Sequence, residues 1–160
     1  MSDLELRRAE ARDRDRLVEG NVRMARETED LALDPEVVAR GVGRVLSGEV
    51  DGQFWVVVRD GVVVGQALVT REWSDWRDRH VWWLQSVYVW PEARSLGVYR
   101  RLHDHVRAEA RRAGAGGLRL YVDATNTRAQ AVYQRVGMTG GHYLVFEQMD
   151  LGGAAANDGP

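Results

Sequence analysis

The chain contains no cysteine, no lysine and no isoleucine. Without cysteine there can be no disulfide, no thiolate nucleophile and no cysteine-containing zinc site. Without lysine, all 22 basic residues are arginine. GC-rich coding accounts for that bias, and it leaves the protein no lysine amine of its own to modify. Long apolar runs are missing too. None approaches the ~20 residues of a membrane span, and the opening Met1-Ser-Asp-Leu-Glu-Leu-Arg-Arg8 lacks the apolar core of a signal peptide. Nor is one sign of charge in excess: 22 basic against 24 acidic residues leave a net charge of −2, which gives no bulk drive toward nucleic acid or an anionic membrane. A cytoplasmic protein with no nucleic-acid and no membrane partner is expected.

Several chemistries are disfavoured by motif. There is no Gly-x-Ser-x-Gly elbow, no phosphate loop ending in Gly-Lys and no His-Glu-x-x-His. His103-Asp104-His105 is a poor metal site because neighbouring helical positions do not share a face. No metal is expected.

What is present is enough for one domain. A chain of 160 residues with 44% apolar composition can bury a full core. The domain is expected over residues 1–151, with 152–160 a small, polar, disordered tail. Leu4 to Arg7 alternates as a short edge strand, and Asp13 to Glu27 reads as a helix with one buried face. A second helix is expected to start at Asp34-Pro35, where Asp caps and Pro suits the first turn, and to stop near Gly48. Phe54 to Val58 and Val62 to Thr70 read as strands joined by an Asp60-Gly61 hairpin turn. A polar connection, Arg71 to Arg79, leads to a long strand, Val81 to Val89. Beyond the next helix, strands are expected at Leu118 to Val122 and His142 to Met149, with a helix through Ala129, Val132, Tyr133 and Val136 between them and a short extra strand near Met138. The resulting α/β (α+β) order, β-α-α-β-β-β-α-β-α-β(-β), is a mixed sheet with an antiparallel meander and a parallel β-α-β crossover.

One stretch organises the rest: Val87-Tyr-Val-Trp-Pro-Glu-Ala-Arg-Ser-Leu-Gly-Val-Tyr-Arg-Arg-Leu102. It is a strand, a turn at Pro91, and a helix carrying Tyr99, Leu102, Val106 and Ala110 on one face. The first N–H groups of a helix have no intrahelical acceptor and its dipole favours negative charge there. Gly97 lets backbone approach an anion, and Arg94 adds a full positive charge. By geometry alone this is an anion site open to many anions.

Strand, Pro91 and then Arg94-x-x-Gly97 resembles the acetyl-CoA signature of the GCN5-related N-acetyltransferase (GNAT) family, whose pattern is Gln/Arg-x-x-Gly-x-Gly/Ala. The sixth position, Gly or Ala in that pattern, is Tyr99 here, and a residue so bulky must point away from the phosphates into the helix–sheet core. Asn126-x-x-Ala129-x-x-x-Tyr133-x-x-x-Gly137-Met138 is similar to the family's second conserved block. The segments Glu72-Trp-Ser-Asp-Trp-Arg77 and Trp82-Trp-Leu-Gln-Ser-Val-Tyr-Val89 resemble a bacterial branch whose helix reads Gly-Val-Tyr. The resemblance covers about Leu4 to Asp150 and implies the GNAT acyltransferase fold.

It also implies an acetyl-CoA-dependent N-acetyltransferase acting on a primary amine, with acetyl-CoA as co-substrate. The cofactor side would comprise Val87, Tyr88 and Val89 through their backbone, the turn Arg94, Ser95, Leu96, Gly97, Val98, Tyr99 and Arg100, and Asn126 with Tyr133. Tyr133 matches the family's general acid, although an aromatic at helical spacing with Val132 and Val136 also reads as core. Asn126 reads equally as a helix N-cap. Glu27, Glu29 and Glu72 are the candidate bases and acceptor contacts, although a single exposed Glu is more often only solvated surface. Trp73, Trp76, Trp83 and Gln85 are candidates for the acceptor pocket. Carboxylates beside tryptophan faces suit a small cationic amine. A protein or peptide amine, or a non-catalytic CoA-binding module on the same fold, are the alternatives. A homodimer is compatible with the sequence.

Overall fold

Alternating apolar residues build the sheet, and helical periodicity covers its two faces. The computed structural model describes residues 3–152. In chain order it contains β1 (Glu5–Arg8), α1 (Arg14–Glu29), α2 (Pro35–Leu46), β2 (Gln53–Arg59), β3 (Val62–Ser74), β4 (Arg79–Val89), α3 (Val98–Arg112), β5 (Leu118–Arg119) and α4 (Thr127–Arg135), with single 3-10 turns at Ala11–Asp13 and Pro91–Ala93. The sheet order is β1-β2-β3-β4-β5. The first four strands are antiparallel and β5 lies parallel to β4, so the mixed sheet with its meander and its crossover through α3 is present. None of the described helices is long and apolar enough to cross a membrane.

Local chemistry explains the boundaries. Asp34 caps α2, its Oδ1 accepting from Glu36 N at 2.9 Å, and Pro35 takes the first helical position. Asp60 and Gly61 both adopt positive φ, 52° and 79°, as the hairpin between β2 and β3 demands. The sheet then buries two separate apolar layers. Val57, Val64, Ala67, Val69, Trp82 and Leu84 face Val98, Leu102, Val106 and Ala110 of α3. On the other face Phe54, Val56, Val58, Val63, Tyr88 and Trp90 meet Leu17 of α1 and Val42 of α2.

A bulge in β4 decides which residues face which layer. Leu68 pairs with Ser86 but Val69 pairs with Leu84, so Gln85 is an extra residue with no partner on β3. It resets the alternation, placing Val87 and Val89 with the α3 layer and Tyr88 and Trp90 with the α1–α2 layer.

Three expectations are corrected. The segment 71–79 is mostly strand, with β3 running to Ser74 and β4 starting at Arg79 around a short turn. Cross-strand pairs Arg71 with Trp82, Glu72 with Val81 and Trp73 with His80 hold it extended. The strand expected over Leu118 to Val122 stops at Arg119, two residues long. The closing strand expected over His142 to Met149, and the short one near Met138, do not form, and Leu144 and Phe146 stand 82% and 91% exposed. The two failures share a cause. A strand added beyond β5 would find an edge of only two residues, too few hydrogen bonds to offset about 1–2 kcal/mol of ordering per residue. The tail expected at 152–160 lies, apart from Gly152, outside the described residues.

The fit of α3 on the sheet is tight at one point. A Cβ on Gly65 would sit 2.3 Å from Val98 Cγ1 at the start of α3. Gly65→Ala should therefore destabilise the fold by about 1–3 kcal/mol through overpacking, read as a lower urea midpoint with an unchanged slope. An unaltered midpoint would mean that α3 is not held where described.

Candidate active site

Parallel strands β4 and β5 pair only at Trp82 with Leu118 and Trp83 with Arg119. Flanking bonds, Trp82 N to Gly117 O at 2.9 Å and Gly116 N to His80 O at 2.8 Å, belong to the same short contact. Beyond it the strands part, and β4 continues for six residues to Val89 without a ladder on that side. Trp90 N donates to Val64 O of β3 at 3.0 Å. Because successive backbone groups of a strand point to opposite sides, Tyr88 shares that direction while Val87 and Val89 aim their N–H and C=O groups at the gap.

The gap leads directly to a helix end without a cap. Gly97 sits at φ +72°, with open space where a Cβ would be, and no side chain caps the helix that follows. The first intrahelical bond is Arg101 N to Gly97 O at 3.1 Å, so the N–H groups of Val98, Tyr99 and Arg100 have no acceptor within the helix. No acidic residue occupies the first turn of α3. The turn itself is exposed at Ser95 and Leu96, and Arg94 N and Leu96 N are used internally, by Pro91 O and Ala93 O. Free strand-edge amides running into free helix N–H groups make a slot for an elongated ligand with an anionic end. Val87, Val89 and the turn from Arg94 to Arg100 border this slot.

Arg94 does not point at the helix end. Its Nε donates to Val89 O at 3.0 Å and its Nη2 to Glu27 Oε2 at 2.5 Å. The hydroxyl of Tyr88 donates to the other oxygen, Glu27 Oε1, at 2.8 Å, and the Arg94 guanidinium lies 5.7 Å from the Tyr88 ring centre. Partial burial pushes the Glu27 carboxyl up, but the bonds from Tyr88 and Arg94, with the charges of Arg94 and Arg23, outweigh it and hold Glu27 below the usual carboxylate range. Burial and the adjacent carboxylate raise Tyr88 above the usual phenol value. Glu27 is thus a poor base and a good counter-ion. This linkage is the site feature that sequence reasoning missed. The signal was the alternation of β4, which turns the Tyr88 side chain toward α1 while its neighbours Val87 and Val89 face α3.

On the other wall stands α4. Asn126 is its N-cap, with Oδ1 accepting from Ala129 N at 3.0 Å, so the capping use of this side chain is the one present. Tyr133 is half-buried, and its ring centre lies 5.7 Å from that of Tyr99. Burial raises the Tyr133 phenol above its ordinary value, which keeps it a neutral proton donor. Tyr99 corrects an expectation. Val98, not Tyr99, enters the helix–sheet core. Tyr99 lies between α3 and α4, near His103 and Tyr133, with its hydroxyl buried and without a partner.

The remaining candidates lie elsewhere. Glu72 pairs with Val81 at the closed end of the β4–β5 gap, and Arg119 Nη1 donates to its Oε1 at 3.2 Å. Seven residues of strand separate Val81 from Tyr88, roughly 23 Å at strand rise, so Glu72 does not meet the acidic turn. Trp73 stacks edge-on with His80 at the same end, and Trp76 at the tip is 86% exposed. The expected grouping of these tryptophans with Glu27 and Glu29 is absent. Glu29 ends α1 and is exposed. Trp83 and Gln85 lie nearer the gap: Trp83 is 5.0 Å from the Tyr121 ring centre, and Gln85 Nε2 donates to Thr70 Oγ1 at 2.8 Å.

Known proteins share this fold. The profile of the Acetyltransferase (GNAT) family matches residues 44–138. A structure described as a possible acetyltransferase from Clostridium difficile 630 is similar at 35% identity, covering 91% of this chain and 96% of that one, with a TM-score of 0.84. The aminoglycoside N-acetyltransferase AAC(6')-Iy in complex with CoA shares the fold at 17% identity, 94% and 97% coverage and a TM-score of 0.78. The same enzyme with a bisubstrate analog, CoA-S-monomethyl-acetylneamine, aligns at 18% identity, 92% and 98% coverage and a TM-score of 0.76. Comparison with curated protein sequences gives no match. With the profile over more than half its length and a 35% identical relative matched nearly end to end, the chain belongs to the GNAT acetyltransferase family.

Proposed function

We propose that the protein transfers an acetyl group from acetyl-CoA to the primary amine of a small cationic molecule. One observation carries the reading: the free edge of β4 at Val87 and Val89 is followed, after one turn, by the uncapped N-terminus of α3. The backbone groups of Val87 and Val89 would hold the pantetheine amides, and the N–H groups of Val98, Tyr99 and Arg100 with the Arg94 charge would hold the phosphates. When bound, acetyl-CoA supplies an activated acyl group. The chain would supply orientation along the slot and a proton for the departing sulfur, the latter from Tyr133, whose phenol burial keeps neutral.

The acceptor amine must lose a proton. Glu27 keeps the Tyr88 hydroxyl when Arg94 turns to the phosphates, and Glu72 lies at the closed end of the gap with Arg119, so neither is proposed as the base. Glu29, or water beside it, is the remaining route. The acidic end of α1 favours a cationic acceptor, and the neighbouring fold described with an acetylneamine conjugate supports a small molecule over a protein amine.

Two measurements test the reading. Calorimetry should show CoA binding to the intact protein, and Gly97→Asp should weaken it about tenfold or more by placing a carboxylate at the anion site. No binding at millimolar CoA would remove the proposal. In a thiol-release assay over an amine panel, Tyr133→Phe should lower kcat about 10²-fold or more while CoA affinity stays within about threefold. Equal losses in both would make Tyr133 structural and favour a CoA-binding module. The raised phenol pKa also fixes a sign: the protonated donor persists above its ordinary range, so Tyr133 should impose no alkaline loss of kcat up to about pH 9.5. An alkaline limb below pH 9 that Tyr133→Phe abolishes would contradict the raised phenol pKa.

A further inference from the structure

Glu27 joins three segments with different tasks. It comes from the last turn of α1, receives the Tyr88 hydroxyl from β4 and receives Arg94 from the phosphate turn. Arg94 in turn spans from Glu27 to Val89 O, an acceptor on the free edge of β4. In this position it satisfies one of the backbone groups that a pantetheine arm would use, and its charge is spent on a carboxylate rather than on phosphate.

We infer that Glu27 is the ammonium anchor of the acceptor site and that Arg94 masks it until the cofactor is bound. The inference rests on the acetyl-CoA reading above. A CoA laid along β4 competes with Arg94 Nε for Val89 O, and its phosphates offer Arg94 a stronger bidentate partner. Once Arg94 turns to the phosphates, Glu27 keeps the neutral Tyr88 hydroxyl as its hydrogen-bond donor, and the charge still near it is Arg23, itself paired with Glu19. A carboxylate that was compensated now carries a net negative charge at the end of α1, beside Glu29 and Asp30. Asp30 is itself paired with Arg26 at 3.2 Å, which leaves Glu27 and Glu29 to attract a cation. A cationic amine therefore gains affinity from cofactor binding, and by linkage the cofactor gains the same factor from the amine.

Three proteins are compared by calorimetry with CoA and with spermidine as the probe amine: the wild type, Glu27→Gln and Arg94→Gln, all as the full chain. The wild type should bind spermidine at least tenfold more tightly with saturating CoA than without it. Glu27→Gln frees Arg94 while keeping a hydrogen-bonding group for Tyr88. It should bind CoA three- to tenfold more tightly than the wild type and show the same weak spermidine affinity with or without CoA. Arg94→Gln unmasks the carboxylate, so its spermidine affinity without CoA should rise to the wild type's CoA-bound value. Spermidine affinity in the wild type that is undetectable, or unchanged by CoA, overturns the inference. So does a Glu27→Gln protein that binds CoA more weakly than the wild type, or an Arg94→Gln protein whose spermidine affinity without CoA stays at the wild-type level. Failure of the wild type to bind CoA at all is a different result. It removes the acetyl-CoA reading itself, and the inference with it.

Discussion

Everything at the site depends on backbone groups of β4 that the sheet leaves without partners. A strand in the middle of a sheet normally spends its N–H and C=O groups on both neighbours. Here β5 takes up that role for two residue pairs and then leaves. The groups of Val87 and Val89 remain directed into a gap, where Val89 O accepts from Arg94 Nε in place of a strand neighbour. An extended ligand carrying amides of its own is the natural occupant. The same divergence brings the uncapped start of α3 to the mouth of the gap, so the strand edge and the helix end act as one surface. Val98 seated over Gly65 holds that helix end against the sheet.

The acidic residues near this surface are sorted by their arginine partners. Glu72 and Arg119 sit where β4 and β5 are still joined, and they tie β3 to β5 across β4 at the closed end. Glu27 and Arg94 sit at the open end, on groups that a ligand would contest. An exposed ion pair contributes little to stability, commonly under about 1 kcal/mol. A pair of that strength can be exchanged for a phosphate contact, which suits Arg94 to a change of partner. The Tyr99–Tyr133 contact closes the third side, and it gives a reason for a large residue where the family pattern has Gly or Ala: the ring reaches α4 and leaves the backbone of the turn accessible.

Much of the fold was legible because its signals are local. Asp34-Pro35 marks a helix start by capping chemistry, Asp60-Gly61 marks a hairpin by positive φ, and the spacing from Arg94 to Gly97 marks a strand passing into a helix N-terminus. Each depends on residues within one turn of each other. What was not legible depends on partners far along the chain. Leu118 to Val122 has strand composition, yet its pairing ends at Arg119, where the chain parts from a β4 edge that runs on to Val89. His142 to Met149 has strand composition and finds no edge to join. Trp73 and Trp76 looked like pocket residues beside Glu72, but the register of β3 on β4 carries them to the far end of the hairpin. Tyr88 could be numbered with the cofactor strand, while the destination of its hydroxyl required the placement of α1.

The central claim is that free β4 amides and the α3 N-terminus together bind CoA. Hydrogen exchange on the intact protein, resolved to single amides with and without CoA, tests it most directly. The account predicts that CoA slows exchange at Val87 and Val89 and at Val98, Tyr99 and Arg100, while Tyr88 and Trp90, already bonded toward β3, change little. Protection by CoA that falls outside these two segments, or CoA binding that leaves their exchange unaltered, would contradict it.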